Sequence, residues 1–181
     1  MKSAVFLATI ITAHAGHNVL LIIADDLGTD ALSLYNSSPT AQLAPVPNIT
    51  ALAANGVKFT NAYAYTVCSP TRSSILTGRY GFRTGTANVA GGGTSNNALK
   101  ASEFTLPEAF AANPVLDYQL KHIGKWHLGG GNTAPCLIGS WPSFAGALNG
   151  EVTDFYSWTK VIGSGATASS TTSTTYATTD N

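Results

Sequence analysis

Apolar residues fall in short blocks separated by Gly-, Pro- and Thr-rich stretches. The first block, Ala4 to Thr12, follows Met1-Lys2 and precedes Ala13-His14-Ala15. A basic start, an apolar centre and an A-x-A site read as a secretory leader over residues 1–15. The block is too short for a stable membrane anchor, and no other stretch approaches the roughly 18 apolar residues a spanning helix needs, so no transmembrane segment is predicted. The second block, Val19 to Ala24, is short and rich in β-branched residues, which predicts a strand buried on both faces as in a parallel sheet. It ends at Asp25-Asp26. Residues 27–47, with Pro39, Pro45 and Pro47, read as loop. Ile49 to Asn55 reads as a short helix with Gly56 at C′. Val57, Phe59, Tyr63 and Tyr65 alternate as in a strand.

Ser69-Pro70 reads as an N-cap followed by proline at the first helical position, opening a helix through Arg72 to Leu76 that stops near Gly78. Residues 84–98 read as loop. Thr105 and Glu108 make a capping box for a helix from Leu106 to Ala112. Tyr118 to Ile123 reads as another strand, and Gly129-Gly130-Gly131 closes that unit. Residues 164–181 are Ser/Thr-rich, have little to bury and read as loop or tail. Strands alternating with helices over residues 16–163 predict an α/β fold, and the length suits one domain or part of a larger one.

Composition narrows the function. The chain has 181 residues, 9 Lys plus Arg against 9 Asp plus Glu, and a net charge of zero. Only 10% of residues are charged, against about 25% in an ordinary soluble domain. With no basic excess to displace counterions, nucleic acid is excluded as a partner. Cys68 and Cys136 are too few for a disulfide framework, although one bridge between them stays open.

Three clusters can carry chemistry. Asp25-Asp26 closes the first apolar run, where open α/β sheets bind ligands. Adjacent carboxylates there suit a hard cation such as Ca²⁺ or Mg²⁺, or else a solvated turn. Cys68 stands at a helix N-terminus, which favours anions and lowers a thiol's pKa, with Arg72 one turn on. It reads as a nucleophile beside an anion site, or as a structural cysteine. Lys125 and His127, two apart after a strand, fall on one face if the strand continues. Lys offers a cation for an oxyanion and His an acid or base, unless both are merely structural. Arg79, Arg83 and His122 read as surface or structural, and the three tryptophans as packing residues.

Taken together, the clusters resemble one family. Cys68-Ser-Pro-Thr-Arg72-Ser-Ser-Ile-Leu-Thr77-Gly78 is similar to the C-x-P-x-R-x₄-T-G signature of type I sulfatases. Asn18 through Asp26 resembles that family's first strand and metal carboxylates. Pro47-Asn48-Ile49 with Leu52 through Phe59 resembles its next segment, and Gly124-Lys125-Trp126-His127-Leu128-Gly129 its lysine–histidine motif. The resemblance spans about Asn18 to Gly129.

The resemblance implies an alkaline-phosphatase-like α/β sandwich with a central mixed, mostly parallel sheet. It implies oxidation of Cys68 to formylglycine by a maturation enzyme. The hydrated aldehyde attacks sulfur of a sulfate ester and then expels sulfate. Asp25, Asp26 and the residue made from Cys68 match ligands of a Ca²⁺ (or Mg²⁺) ion. Arg72 matches the support of the hydrated aldehyde, and Lys125 and His127 match residues that hold sulfate and the catalytic hydroxyls. The implied substrate is a sulfated small molecule or polysaccharide, and the implied location is secreted or periplasmic.

The chain also departs from the pattern. The family completes its site with a later Asp-Asn pair, another His and another Lys. After His127 there is no histidine, and Lys160 is the only lysine. Asp180-Asn181 has the right letters but follows a Thr-rich polar stretch. The expectation is therefore the N-terminal portion of a longer enzyme, with little or no turnover on its own. The alternatives are a formylglycine-dependent phosphodiesterase or phosphonate hydrolase, and a non-catalytic fragment that binds sulfated glycans.

Overall fold

The structure is a computed structural model and describes residues 17–38, 40–91 and 96–173. The leader-like segment 1–15 and Asp180-Asn181 lie outside the described residues. Helices α1 (Pro47–Ala54), α2 (Cys68–Thr77), α3 (Gly81–Thr84) and α4 (Leu106–Ala111) precede strand β1 (His122–Ile123). Helix α5 (Ala134–Leu137) and strands β2 (Phe144–Gly146), β3 (Trp158–Ser164) and β4 (Thr167–Ser173) follow. The four strands form one sheet in the order β1-β2-β3-β4. β1 runs parallel to β2, while β2–β3 and β3–β4 are antiparallel. The described sheet is thus mixed, with a single parallel pairing. Among the described residues no helix is long and apolar enough to cross a membrane.

α2 buries Ser69, Pro70, Arg72, Ser73 and Leu76. The spacing is helical, yet three of the five are polar, so the inward face is pinned by hydrogen bonds as well as by packing. Ser73 Oγ and Thr84 Oγ1 lie 2.8 Å apart and tie α2 to α3. Gly78 ends α2 with φ +66°, a left-handed conformation that glycine adopts without a Cβ clash, and its N–H donates to the Ser74 carbonyl. α4 begins with the expected capping box of Thr105 and Glu108.

The core joins Leu76, Leu99, Trp126, Leu128, Ala134, Cys136, Phe144 and Val161. It lies between α2, α5 and the β1–β3 part of the sheet. Both cysteines are free, so no bridge links Cys68 to Cys136.

Several elements differ from expectation. Val19 to Ala24 is in no strand, and Val19, Leu20 and Ile22 are 69%, 83% and 75% exposed. A strand buried on both faces needs a neighbour on each side to supply hydrogen bonds and cover. Val57, Phe59 and Tyr63 likewise form no strand and stay exposed. Of the 118–123 strand only His122-Ile123 is realised. Ser69 is not the N-cap of α2. Val67 holds that place, and the helix already includes Cys68. Within the Ser/Thr-rich stretch expected as loop or tail, Thr167–Ser173 pairs residue for residue with β3 from Trp158↔Ser173 to Ser164↔Thr167. Backbone pairing needs no apolar side chain, and Gly165 at φ +55° makes the turn.

Candidate active site

Two segments bring the site together. The first is the N-terminal turn of α2, carrying Cys68 and Arg72. The second is the stretch 122–127, which is hydrogen-bonded along its length to 143–148. His122, Gly124, Trp126 and His127 donate their N–H groups to the carbonyls of Ser143, Ala145, Ala147 and Leu148 at 2.9–3.0 Å. The strand geometry nevertheless breaks within it, because Gly124 has φ +110° and His127 φ +52°. Lys125 and His127 therefore do not share one strand face, as their spacing predicts. Lys125 reaches Asp25, and His127 reaches Cys68.

Cys68 Sγ lies 2.9 Å from His127 Nδ1. The thiol is half-buried and the histidine is only 5% exposed. Ser69 Oγ donates to the His127 carbonyl at 2.8 Å and accepts the Ala90 N–H at 3.0 Å. These contacts hold a non-glycine residue in the left-handed region, which costs energy and persists only where the surroundings enforce it. Gly150 packs against the imidazole. A Cβ at that position would sit 2.6 Å from His127 Cε1.

Arg72, buried on α2, donates from Nη1 to the Lys125 carbonyl at 2.7 Å and places Nη2 3.6 Å from Asp25 Oδ2. Lys125 Nζ is ion-paired with the same carboxylate oxygen. Asp25 thus stands between two cations. Partial burial raises its pKa, but the Lys125 hydrogen bond, the charges of Lys125 and Arg72 and then that of His127 outweigh this and lower it. His127 is shifted down, first by burial and then by the Lys125 and Arg72 charges, against a smaller opposing effect of Asp25. It is held neutral near pH 7, with a ring nitrogen free to exchange a proton with the group at position 68. Asp26, at φ +54°, forms the turn after Asp25.

The six residues singled out from the sequence do not all converge in the same way. Cys68 pairs with His127, and Asp25 joins Arg72 and Lys125, whose charges act on His127. Among the described residues no group of three or more His, Cys, Asp or Glu gathers as a metal would require. Asp25 and Asp26 are oxygen donors of the kind a hard cation takes, but such an ion takes about six to eight of them. The described residues therefore do not complete a Ca²⁺ or Mg²⁺ site. Two further residues at the site escape the sequence reading, while His122, read as structural, packs as one. Ser69 lies inside the signature, where its position reads as a cap. Gly150 has no local signal. His122 is packed by Trp126, Trp141 and Phe144, with ring centroids at 6.0, 5.3 and 5.2 Å. Burial first, then the Arg72 charge, drives its pKa down to about 4 against an opposing hydrogen bond to the Lys125 backbone.

A cysteine–histidine pair at a helix start in an α/β domain, with an arginine and a lysine paired to an aspartate nearby, is an arrangement that can take an anionic group beside a nucleophilic side chain. The sulfatase family model matches residues 17–173, and the chain belongs to that family. It is 38% identical to arylsulfatase A of Bos taurus over 126 residues, covering 69% of this chain and 24% of that protein. It is 38% identical over 116 residues to an N-acetylgalactosamine-6-O-sulfatase of Bacteroides thetaiotaomicron, covering 62% of this chain and 20% of that one. The crystal structure of Ps i-CgsB superposes with a TM-score of 0.61 at 28% identity, over 74% of this chain and 28% of that chain. The likeness supports the alkaline-phosphatase-like α/β class. The chain spans 20–28% of the length of these proteins.

Proposed function

We propose that these residues are the N-terminal portion of a sulfuric-ester hydrolase and that Cys68 is its reactive position. The observation that carries the reading is Cys68 Sγ at 2.9 Å from His127 Nδ1, with Arg72 and Lys125 converging beside them. Formylglycine, made from Cys68 by a maturation enzyme, supplies a hydrated aldehyde as the oxygen nucleophile. Position 68 suits it, being half-buried at a helix start and facing a neutral imidazole. His127 Nδ1 accepts the proton that the nucleophile loses as its oxygen bonds to sulfur, and that proton goes to the departing alcohol oxygen as the ester S–O bond breaks. Lys125 and Arg72 neutralise the sulfate oxygens as charge builds on them. Their positions are fixed beforehand by Asp25 and by the Lys125 carbonyl.

The same reading makes Asp25 and Asp26 contributors to a divalent-cation site, Ca²⁺ or Mg²⁺, completed by residues outside those described. The exposed run Val19–Ile23 supports a longer protein, since an extended apolar segment of this kind needs a covering neighbour. The substrate class is a sulfated small molecule or polysaccharide, and the leader-like residues 1–15 support a secreted or periplasmic location. The test is hydrolysis of 4-nitrophenyl sulfate after co-expression with a formylglycine-generating enzyme. The isolated 181 residues are expected to show little or no turnover. Strong Ca²⁺-dependent hydrolysis by the isolated chain, lost in Cys68→Ala, would refute the incompleteness. A longer chain whose hydrolysis survives Cys68→Ala would refute the assignment of Cys68.

A further inference from the structure

At the far end of α2 from Cys68, two large rings stand out from the surface. Tyr80 and Phe82 are 68% and 64% exposed and stack on each other, with centroids 5.6 Å apart and planes 10° from parallel. Arg83 lies over Phe82, its guanidinium carbon 5.8 Å from the ring centroid. The side chain of Lys100 covers Gly85, the residue that ends α3, so closely that a Cβ there would come within 3.0 Å of Lys100 Cε. Arg83 and Lys100 are exposed cations at the same end of α3, and neither has an acidic partner among the described residues. The nearby acid, Glu103, is buried and already paired with Arg79.

This patch differs from the other exposed apolar stretches. Val19–Ile23 carries no cation, and there exposure reflects an uncovered strand-like segment. Here two flat rings sit beside two uncompensated positive charges. Ring faces take the apolar faces of pyranose rings, while guanidinium and ammonium groups take sulfate oxygens. We propose that Tyr80, Phe82, Arg83 and Lys100 form a docking platform for a sulfated glycan chain, separate from the reacting site. The choice of a sulfated ligand rests on the sulfatase reading. The ten residues of α2 separate the platform from Cys68 by about 15 Å. A polymer engaged at both ends would thus be held beyond the ester being cleaved.

Affinity electrophoresis of the purified chain through gels containing dextran sulfate tests this, with unsulfated dextran and polyglutamate as comparison polymers. Retardation is expected in dextran sulfate and not in dextran. Arg83→Gln with Lys100→Gln should weaken retention by roughly tenfold, and Tyr80→Ala with Phe82→Ala by roughly fivefold. Any retention by polyglutamate should be insensitive to the ring substitutions. Tyr80→Trp with Phe82→Trp should keep dextran sulfate binding, which separates loss of the rings from loss of the fold. Equal retention of all variants, or loss on charge removal with none on ring removal, would overturn the platform. None of these variants touches the reacting site. Unchanged dextran sulfate binding alongside Cys68-dependent 4-nitrophenyl sulfate hydrolysis by a longer chain would refute the platform alone. Ring-dependent binding, with no 4-nitrophenyl sulfate hydrolysis by a longer chain that carries formylglycine at position 68, would refute the sulfatase reading alone.

Discussion

Residues 18–65 and residues 68–164 are both rich in apolar side chains, and they meet opposite fates. In the first region Val19, Leu20, Ile22, Val57 and Phe59 are all at least 69% exposed. In the second, Trp126, Leu128, Phe144 and Val161 are at most 2% exposed. The difference is partnership rather than composition. The second region closes a sheet on α2 and α5, so its backbone groups and side chains find neighbours. The first supplies an extended apolar run that pairs with no strand among the described residues. The site straddles this divide. Cys68, Arg72, Lys125 and His127 stand on the packed side, while Asp25 arrives from the unpacked side and is held by its ion pairs to Lys125 and Arg72.

Truncation in the packed region should cost most. Phe144→Ala removes a fully buried ring at the centre of the core and should destabilise by about 3–5 kcal/mol in urea unfolding. A loss below about 1 kcal/mol would mean that this region is not the cooperative unit.

His122→Phe should follow. With its pKa lowered from 6.5 to about 4, His122 is bound neutral in the fold, whereas the unfolded chain protonates it. The unfolded state then binds more protons below pH 6.5, so stability falls as pH drops from 6.5 towards 4, by up to about 3 kcal/mol from this group. Phenylalanine cannot titrate and suits the ring of Trp126, Trp141 and Phe144. Urea midpoints measured from pH 7 to pH 4 should decline much less steeply in the variant. Parallel declines would contradict the burial of His122.

Gly150→Ala pushes a methyl group into the His127 ring and should cost about 1–3 kcal/mol while displacing the imidazole from Cys68. A shift of the His127 ring resonances, absent in a distant Gly→Ala control, checks it. The smallest effect belongs to the unpacked region. Leu21→Ser should change stability by no more than about 0.5 kcal/mol, because Leu21 is 55% exposed. A loss of several kcal/mol would show that the 19–24 run is buried in solution and would erase the contrast.

The legibility of the sequence follows the same divide. The gathering of Asp25, Cys68, Arg72, Lys125 and His127 was readable because the motifs that carry them fix residue types at set spacings. The capping box at Thr105 and Glu108 was readable because both partners lie within one turn. Gly78 was readable as a helix stop because a left-handed residue there favours glycine. Gly150 was not, since its role is to leave room for a ring brought in from 23 positions upstream. The strand Thr167–Ser173 was missed because its pairing comes from the backbone, and its Ser/Thr side chains carry no apolar alternation. Val19 to Ala24 was over-read, because periodicity describes what a segment can bury and not whether a partner is present. The spacing of Lys125 and His127 implied one shared strand face, and the left-handed His127 replaced it with a turn that still brings both into the site.

The two cysteines offer the most direct test. Cys68 faces His127 at the start of α2, whereas Cys136 is buried in the core with its thiol pKa raised by burial, partly offset by a hydrogen bond to the Gly165 backbone. Peptide mass spectrometry after co-expression with a formylglycine-generating enzyme should find an aldehyde at position 68 and an intact thiol at position 136. An unmodified Cys68 under conditions that convert a known sulfatase in parallel would contradict the assignment of Cys68 as the reactive position.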